Sequence, residues 1–233
     1  MSEQLETITN FGANISFTPR RVYRPASDFE VLDILRRHKQ DQIRVVGRLH
    51  AWSPLVESTD VIISLENLKA VEILERDGEK VAIVGAGCQI KRLLAELQKD
   101  GLTAPAVGLI SEQTIAGAMA TATHGSGRQA LCHFSRAVRV AHFDSATSEP
   151  IISEVRGGEE LRAIQCSLGM LGVILRVEIC LGTSVFWFNI VSRPKPHAVG
   201  WLHSIASTGF SSLTSAYTLY SWCFPVGEKA DGA

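Results

Sequence analysis

The 233-residue chain has no surplus of charge: 23 Lys and Arg stand against 24 Asp and Glu, a formal net charge of -1. The basic residues are spread along the chain rather than gathered in a patch, which argues against nucleic acid or an anionic membrane surface as a partner. Any anion is therefore met locally. The five cysteines, Cys88, Cys132, Cys166, Cys180 and Cys223, are odd in number and far apart. They form no Cys-x-x-Cys pair and no Cys/His zinc spacing, so no metal site is expected, and buried thiols in a reducing compartment account for them. Cys132 and Cys166 are expected as small core residues. Residues 1–12 lack a basic start followed by an apolar stretch, so a secretory leader is not supported and a cytoplasmic location is expected. Long apolar runs are missing too. Residues 205–225 are fairly apolar, yet Ser207, Thr208, Ser211, Ser212, Thr214 and Ser215 make them a poor membrane span beside the ~20 mostly apolar residues required. A soluble protein, or at most a surface-associated one, is the reading.

Regular βαβ alternation, a Gly-x-Gly-x-x-Gly opening, internal repeats and low-complexity linkers are also absent, which sets aside a doubly wound dinucleotide fold and repeat architectures. What is there is a mixed α+β pattern, 45% hydrophobic, sized for one large domain or one domain plus part of another. Ser27-Asp28-Phe29-Glu30 has capping-box spacing, and Val31, Leu32, Ile34 and Leu35 then recur with helical period as far as Arg36, Arg37 and His38. The short apolar run Ile43 to Val46 reads as a buried strand that delivers the chain into the loop Gly47 to Pro54. Val61 to Ser64, Val71 to Leu74 and Val81 to Val84 are further strands, the last two joined by an Asp77-Gly78 hairpin turn. Ile90, Leu93, Leu94 and Leu97 mark a helix face over Gln89 to Lys99, with Gly101 at the position of a C-terminal cap. Val138 to Phe143 and Gly172 to Leu181 read as strands, the latter alternating Val173, Leu175, Val177 and Ile179 against Ile174, Arg176 and Glu178. Glu159 to Ala163 is a short helix. After Leu181 the texture changes, with Trp187, Pro194, Pro196 and Trp201 scattered ahead of a Ser/Thr-rich tail.

The run Gln113 to Gly127, QTIAGAMATATHGSG, has little side-chain bulk and closely spaced glycines. Such a run lets a large ligand reach the backbone; a tightly packed turn between ordinary elements is the plain alternative. The loop Val46 to Pro54, VGRLHAWSP, follows a strand, a position at which consecutive N–H groups form an anion-binding nest.

Taken in order, Gly-x-x-His-x-Trp-Ser-Pro, Thr-Ile-Ala-Gly-Ala with Thr-His-Gly-Ser-Gly, and Ser-Leu-Gly-Met-Leu-Gly-Val-Ile resemble the aldonolactone oxidases. These belong to the vanillyl-alcohol-oxidase or p-cresol-methylhydroxylase type of FAD-binding fold. The resemblance covers about Thr18 to Gly182. It implies a two-subdomain α+β FAD-binding domain over residues 18–183 and, over 184–233, the start of a substrate domain that is otherwise missing. It also implies oxidation of an alcohol carbon of a small-molecule sugar lactone or polyol, with hydride passing to flavin N5 and reoxidation by oxygen or another acceptor. A flavin-binding fragment or degenerate paralogue without turnover and an FAD oxidase of another alcohol on the same fold are the alternatives. By position, the first loop supplies Gly47, Arg48, Leu49, His50, Ala51, Trp52 and Ser53 to the FAD diphosphate. The second motif supplies Thr114, Gly117, Thr121, Thr123, His124, Gly125 and Gly127, and the third Gly172 and Ile174. No catalytic acid or base is assigned, since the resemblance places those groups beyond the matched region.

The departures from the family pattern are specific. Its first loop usually reads Gly-Ser-Gly-His-Ser, where this chain has Arg48, Leu49 and Ala51 for Ser, Gly and Ser. A second glycine at positive φ would make Leu49 cost roughly 1 kcal/mol or more. Arg48 either pairs with a phosphate, which a guanidinium fits bidentately, or points into solvent. Ala122 also stands where glycine is usual. His50 holds the position that bonds covalently to the flavin in some members; a loop histidine bonded to backbone is the alternative. His124 is expected to brace its loop through a hydrogen bond, and Trp52 to pack under its loop.

Overall fold

The computed structural model describes residues 5–127, 129–183, 187–190 and 220–223. In chain order the elements are β1 Ile8–Thr9, β2 Ser16–Phe17, β3 Arg21–Tyr23, α1 Asp28–Arg37, β4 Ile43–Val46, β5 Val61–Ser64, β6 Val71–Arg76 and β7 Glu79–Gly85. There follow α2 Ile90–Gln98, β8 Leu102–Thr103, α3 Ile115–Ala120, β9 Ser135–Phe143, β10 Pro150–Arg156, α4 Gly158–Gln165, β11 Val173–Cys180, β12 Gly182–Thr183, β13 Trp187–Ile190 and β14 Tyr220–Cys223. The chain divides into two compact units, Met1–Thr183 and Ser184–Ala233. In the second, β13 and β14 pair antiparallel. Pro194, Pro196, Trp201 and the Ser/Thr-rich stretch singled out from the sequence lie outside the described residues.

The first sheet is three-stranded and parallel, in the order β3-β5-β4. Its entry helix forms as the sequence predicts: Ser27 Oγ accepts from the Glu30 N–H at 3.2 Å, and Val31, Ile34 and Leu35 are buried. The returning Glu30 carboxylate accepts from the Ala26 N–H at 2.9 Å, one residue earlier than a regular capping box would have it. β4 corrects the expectation of a buried strand. It pairs with β5 alone, so it is an edge, and of its four residues only Val46 is buried. The fully buried strand is its neighbour β5. One face of β5 joins the main core through Val61 and Ile63, whereas Ile62 meets Val46 and Ile8 of the β1–β2 hairpin on the other.

The second sheet is antiparallel and five-stranded, in the order β10-β9-β11-β7-β6. Asp77 at φ +53° and Gly78 at φ +76° make the β6–β7 turn, the mirror-image geometry whose twist suits a hairpin. Central β11 departs from simple alternation: Ile174 and Glu178 are buried as well as Val173, Leu175, Val177 and Ile179, and only Arg176 is exposed. A register shift between Ile174 and Arg176 gives β11 one extra residue there, a bulge opposite β9. Glu178 tolerates burial because Arg156 lies 3.1 Å and Arg76 3.5 Å away. The main core gathers Val138, Val140 and Val177 of this sheet with Leu93, Leu97, Ile115, Met119, Leu161 and Ile164 of the helices. Cys132 belongs to it, but Cys166 does not: as the residue that ends α4 it is exposed. Among the described residues no helix is long and apolar enough to cross a membrane.

Candidate functional site

The first loop leaves edge strand β4 and turns through Leu49, which sits at φ +56°. The left-handed backbone inferred for a glycine at this place is therefore present with leucine in it. The carbonyls of the loop are held from one side by a turn near the start of the chain. The Phe11 N–H donates to Leu49 O at 2.8 Å, Asn10 Nδ2 to Ala51 O at 2.9 Å, and Asn14 Nδ2 to Trp52 O at 3.1 Å. No backbone N–H between Gly47 and Ser53 donates to a described residue. Sequence reading missed this turn, although Asn10-Phe11-Gly12-Ala13-Asn14 is turn chemistry by composition.

His50 lies against Phe11, with ring centroids 4.6 Å apart and planes tilted by 31°. Its Nδ1 is buried and has no hydrogen-bond partner among the described residues, so this nitrogen makes no backbone bond. Trp52 is 65% exposed and its ring covers Gly12, where a Cβ would fall 2.4 Å from Cζ3. It thus packs against the N-terminal turn and stays largely exposed, not tucked under its own loop as the sequence reading expects. Arg48 and Glu112 both line the neighbouring cavity, and the Glu112 carboxyl is held below the usual carboxylate range first by a hydrogen bond from Lys91 and least by the charge of Arg48.

The second motif is a helix start rather than a turn. Thr114 is buried and caps α3, its Oγ1 accepting from the Gly117 N–H at 3.3 Å. The same hydroxyl would lie 2.2 Å from a Cβ on Gly47, so the first loop and α3 touch where only glycine fits. After α3, Ala122 takes φ +51° and the Thr121 hydroxyl donates to Gly117 O at 3.0 Å. Thr123 lies over Gly108, and Gly125 over the Val107 carbonyl. His124 Nδ1 lies 2.8 Å from Gly125 O, a bond that needs the proton on Nδ1 and braces the loop as expected. Gly127 has open space around its Cα.

The third motif joins the second through the Leu168 N–H, which donates to Ala120 O at 3.1 Å. Gly172 sits at φ +125°, and a Cβ there would meet Ala141 O at 2.5 Å. Ile174 is buried in the main core, so a ligand could meet only its backbone. Leu109, Ile110, Leu168, Met170 and Leu171 are exposed along the two flanking loops. The three motifs, distant in sequence, thus meet around α3. A cavity of about 460 Å³ opens beside the first loop, lined by Gly47 to His50, Ile8 to Phe11, Arg24, Ser64, Glu66 and Glu112. It does not include Thr121, Thr123, Gly125, Gly127 or Gly172.

The donor set fits a dinucleotide diphosphate. Unbonded backbone N–H groups follow a left-handed residue, an unpartnered imidazole nitrogen is buried beside them, and Gly47, Gly125 and Gly172 admit no side chain. A small parallel sheet stands beside a larger antiparallel one, with such loops between them. Residues 19–145 match the model of the family described as "FAD binding domain", and the chain belongs to that family. A long-chain alcohol oxidase from an uncultured marine euryarchaeote is 51% identical over 171 residues, covering 73% of this chain and 36% of that protein. A D-arabinono-1,4-lactone oxidase from Eremothecium gossypii is 30% identical over 225 residues, covering 94% and 41%. The L-gulonolactone oxidase of Mus musculus is 26% identical over 175 residues, covering 73% and 39%. The chain therefore spans about two-fifths of the length of the curated relatives it matches. Among solved structures, a solvent-stable cholesterol oxidase superposes with a TM-score of 0.73 at 18% identity, over 82% of this chain and 40% of its own. The two-subdomain α+β fold and the FAD cofactor implied by the sequence motifs agree with these matches.

Proposed function

We propose that residues 18–183 form the cofactor-holding part of an FAD-dependent oxidoreductase that oxidises an alcohol carbon of a small molecule. The observation that carries this reading is the first loop, whose backbone N–H groups follow the left-handed Leu49 and have no acceptor among the described residues. Bound FAD supplies the hydride-accepting chemistry, and the chain supplies binding and orientation. In this reading Gly47, Arg48, Leu49, His50, Ala51, Trp52 and Ser53 receive the diphosphate through backbone N–H groups, a grip that needs no net basic domain. Thr121, Thr123, His124, Gly125 and Gly127 form the second wall, and Gly172 and Ile174 offer backbone alone. Thr114 and Gly117 act behind the site, holding α3 against Gly47. Residues 184–233 begin the substrate domain.

The names of the relatives support two substrate classes. Lactone oxidases span most of this chain, whereas the relative with 51% identity is a long-chain alcohol oxidase. The shared chemistry is oxidation at a carbon bearing hydroxyl. The test is to purify the chain, incubate it with excess FAD, remove the unbound FAD by desalting and record the visible spectrum; a protein that is then colourless would sink the proposal. Anaerobic bleaching by an aldonolactone or by a long-chain alcohol then assigns the class. Acid precipitation tests His50 directly: colour in the pellet that His50→Ala moves to the supernatant establishes a covalent bond at this residue.

A further inference from the structure

Outside the three motifs, the turn Asn10–Asn14 is the segment most closely tied to the site. Asn10 is 4% exposed and uses every polar atom of its side chain. Its Oδ1 accepts from the Asn14 and Ile15 N–H groups, both at 3.1 Å, which builds the turn. Its Nδ2 donates to Asn14 Oδ1 at 2.8 Å and to Ala51 O at 2.9 Å, which ties the turn to the first loop. Asn14 Nδ2 and the Phe11 N–H take the carbonyls of Trp52 and Leu49. In a trans peptide the C=O and N–H point in opposite directions. Fixing the carbonyls of Leu49, Ala51 and Trp52 on the turn therefore aims the N–H groups of His50, Trp52 and Ser53 away from it. Those N–H groups have no acceptor among the described residues. A carbonyl free to rotate in this loop would instead present its negative end to an anion.

We propose that the Asn10–Asn14 turn is a positioning element of the cofactor site: its three hydrogen bonds set the first loop in the conformation that receives a diphosphate, and Phe11 holds the His50 ring. The proposal rests on the flavin-binding reading above. Asn10 is its central residue, because it both builds the turn and fastens the loop. The turn acts on the cofactor through the loop backbone, so its loss weakens FAD binding even where the chain stays folded.

The test compares Asn10→Asp with the full wild-type chain. Aspartate keeps the acceptor for the Asn14 and Ile15 N–H groups but loses both Nδ2 donations, to Asn14 Oδ1 within the turn and to Ala51 O on the loop, so the fastening is lost while the two backbone bonds that close the turn remain. Asn14→Ala serves as a second variant, removing the bond to Trp52 O. Leu161→Ala, in the core far along the chain, is the control for general destabilisation. The dissociation constant for FAD, measured on apoprotein well below its unfolding temperature, should rise at least tenfold in Asn10→Asp and clearly in Asn14→Ala, with little change in Leu161→Ala. Exchange of the Phe11 amide hydrogen, held by Leu49 O, should quicken in Asn10→Asp without FAD. FAD affinity within twofold of wild type in both Asn variants overturns the proposal, as does equal weakening by Leu161→Ala. Wild-type protein that takes up no FAD overturns the flavin reading itself, a result visible before any variant is made.

Discussion

Leu49 at φ +56° and Ala122 at φ +51° occupy the two places where the resembled family has glycine, and replacing each by glycine separates backbone strain from packing. A non-glycine residue in the left-handed region costs about 1–2 kcal/mol, which either substitution relieves. Glycine returns roughly 0.4–1 kcal/mol of that by loosening the unfolded chain. At Ala122 little else changes, since one half-buried methyl is worth only about 0.5 kcal/mol. The expected net effect of Ala122→Gly is thus a gain of about 0.5 kcal/mol, or 1–2 °C in Tm for a chain of this size. At Leu49 a half-buried side chain packed on Ile8, Val46 and Ile62 is lost as well, worth about 1–2 kcal/mol. Leu49→Gly should therefore lie roughly 1 kcal/mol below Ala122→Gly. Urea or thermal unfolding of both variants without flavin measures the difference, in which the shared backbone contributions cancel. Equal loss of stability in the two variants would refute the left-handed assignment and the packing role of Leu49 together.

Gly47→Ala should push Thr114 out of its capping position and cost about 2 kcal/mol, with weaker FAD binding in a flavin titration. Gly172→Ala combines φ +125° with a backbone oxygen 2.5 Å from the new Cβ, so a loss of about 2–4 kcal/mol is expected, whereas Gly127→Ala, in open space, should unfold at nearly the wild-type temperature. Stability should fall on the acid side, because several carboxyls, Asp144, Asp41 and Glu149 among them, are held below their ordinary pKa. A hydrogen bond from the Thr147 N–H does this to Asp144, one from His38 to Asp41, and one from Lys39 to Glu149. A lowered folded pKa means the contribution is present above the unfolded value, about 4, and is lost as pH drops through the folded one. Asp144→Asn keeps an acceptor but not the titration, so its urea midpoint should vary less than wild type between about pH 5 and 2.

Much of the fold could be read from local chemistry because the relevant signals were local. The Ser27 cap, the Asp77-Gly78 turn and the Ile90, Leu93, Leu97 face each span a few neighbouring residues and form as expected. Where pairing decided the outcome, local reading failed: Ile43 to Val46 is apolar enough for a central strand, but β5 took that place. Short strands such as β1, β2 and β8 carry no periodicity to read, and β10, rich in Ile and Val over Pro150–Arg156, went unread beside a longer neighbour. At the site, ordered motifs identified the cofactor class and the glycines that approach other chain closely. The hairpin that fastens the first loop was invisible, since its bonds run from Asn10 and Asn14 to carbonyls some forty residues away.

The place of β11 in its sheet has a consequence for how the chain acquires its structure. β6–β7 and β9–β10 are local hairpins that can form as soon as their residues are available, yet in the finished sheet they do not touch each other; β11 lies between them and pairs with both β7 and β9. Until Val173–Cys180 arrives, each hairpin presents an unpaired inner edge, and closing the sheet needs contacts of long sequence separation, which form slowly. Synthesis halted before Cys180 would leave two open edges able to pair with other chains, so nascent or prematurely ended chains should aggregate where the completed sheet does not.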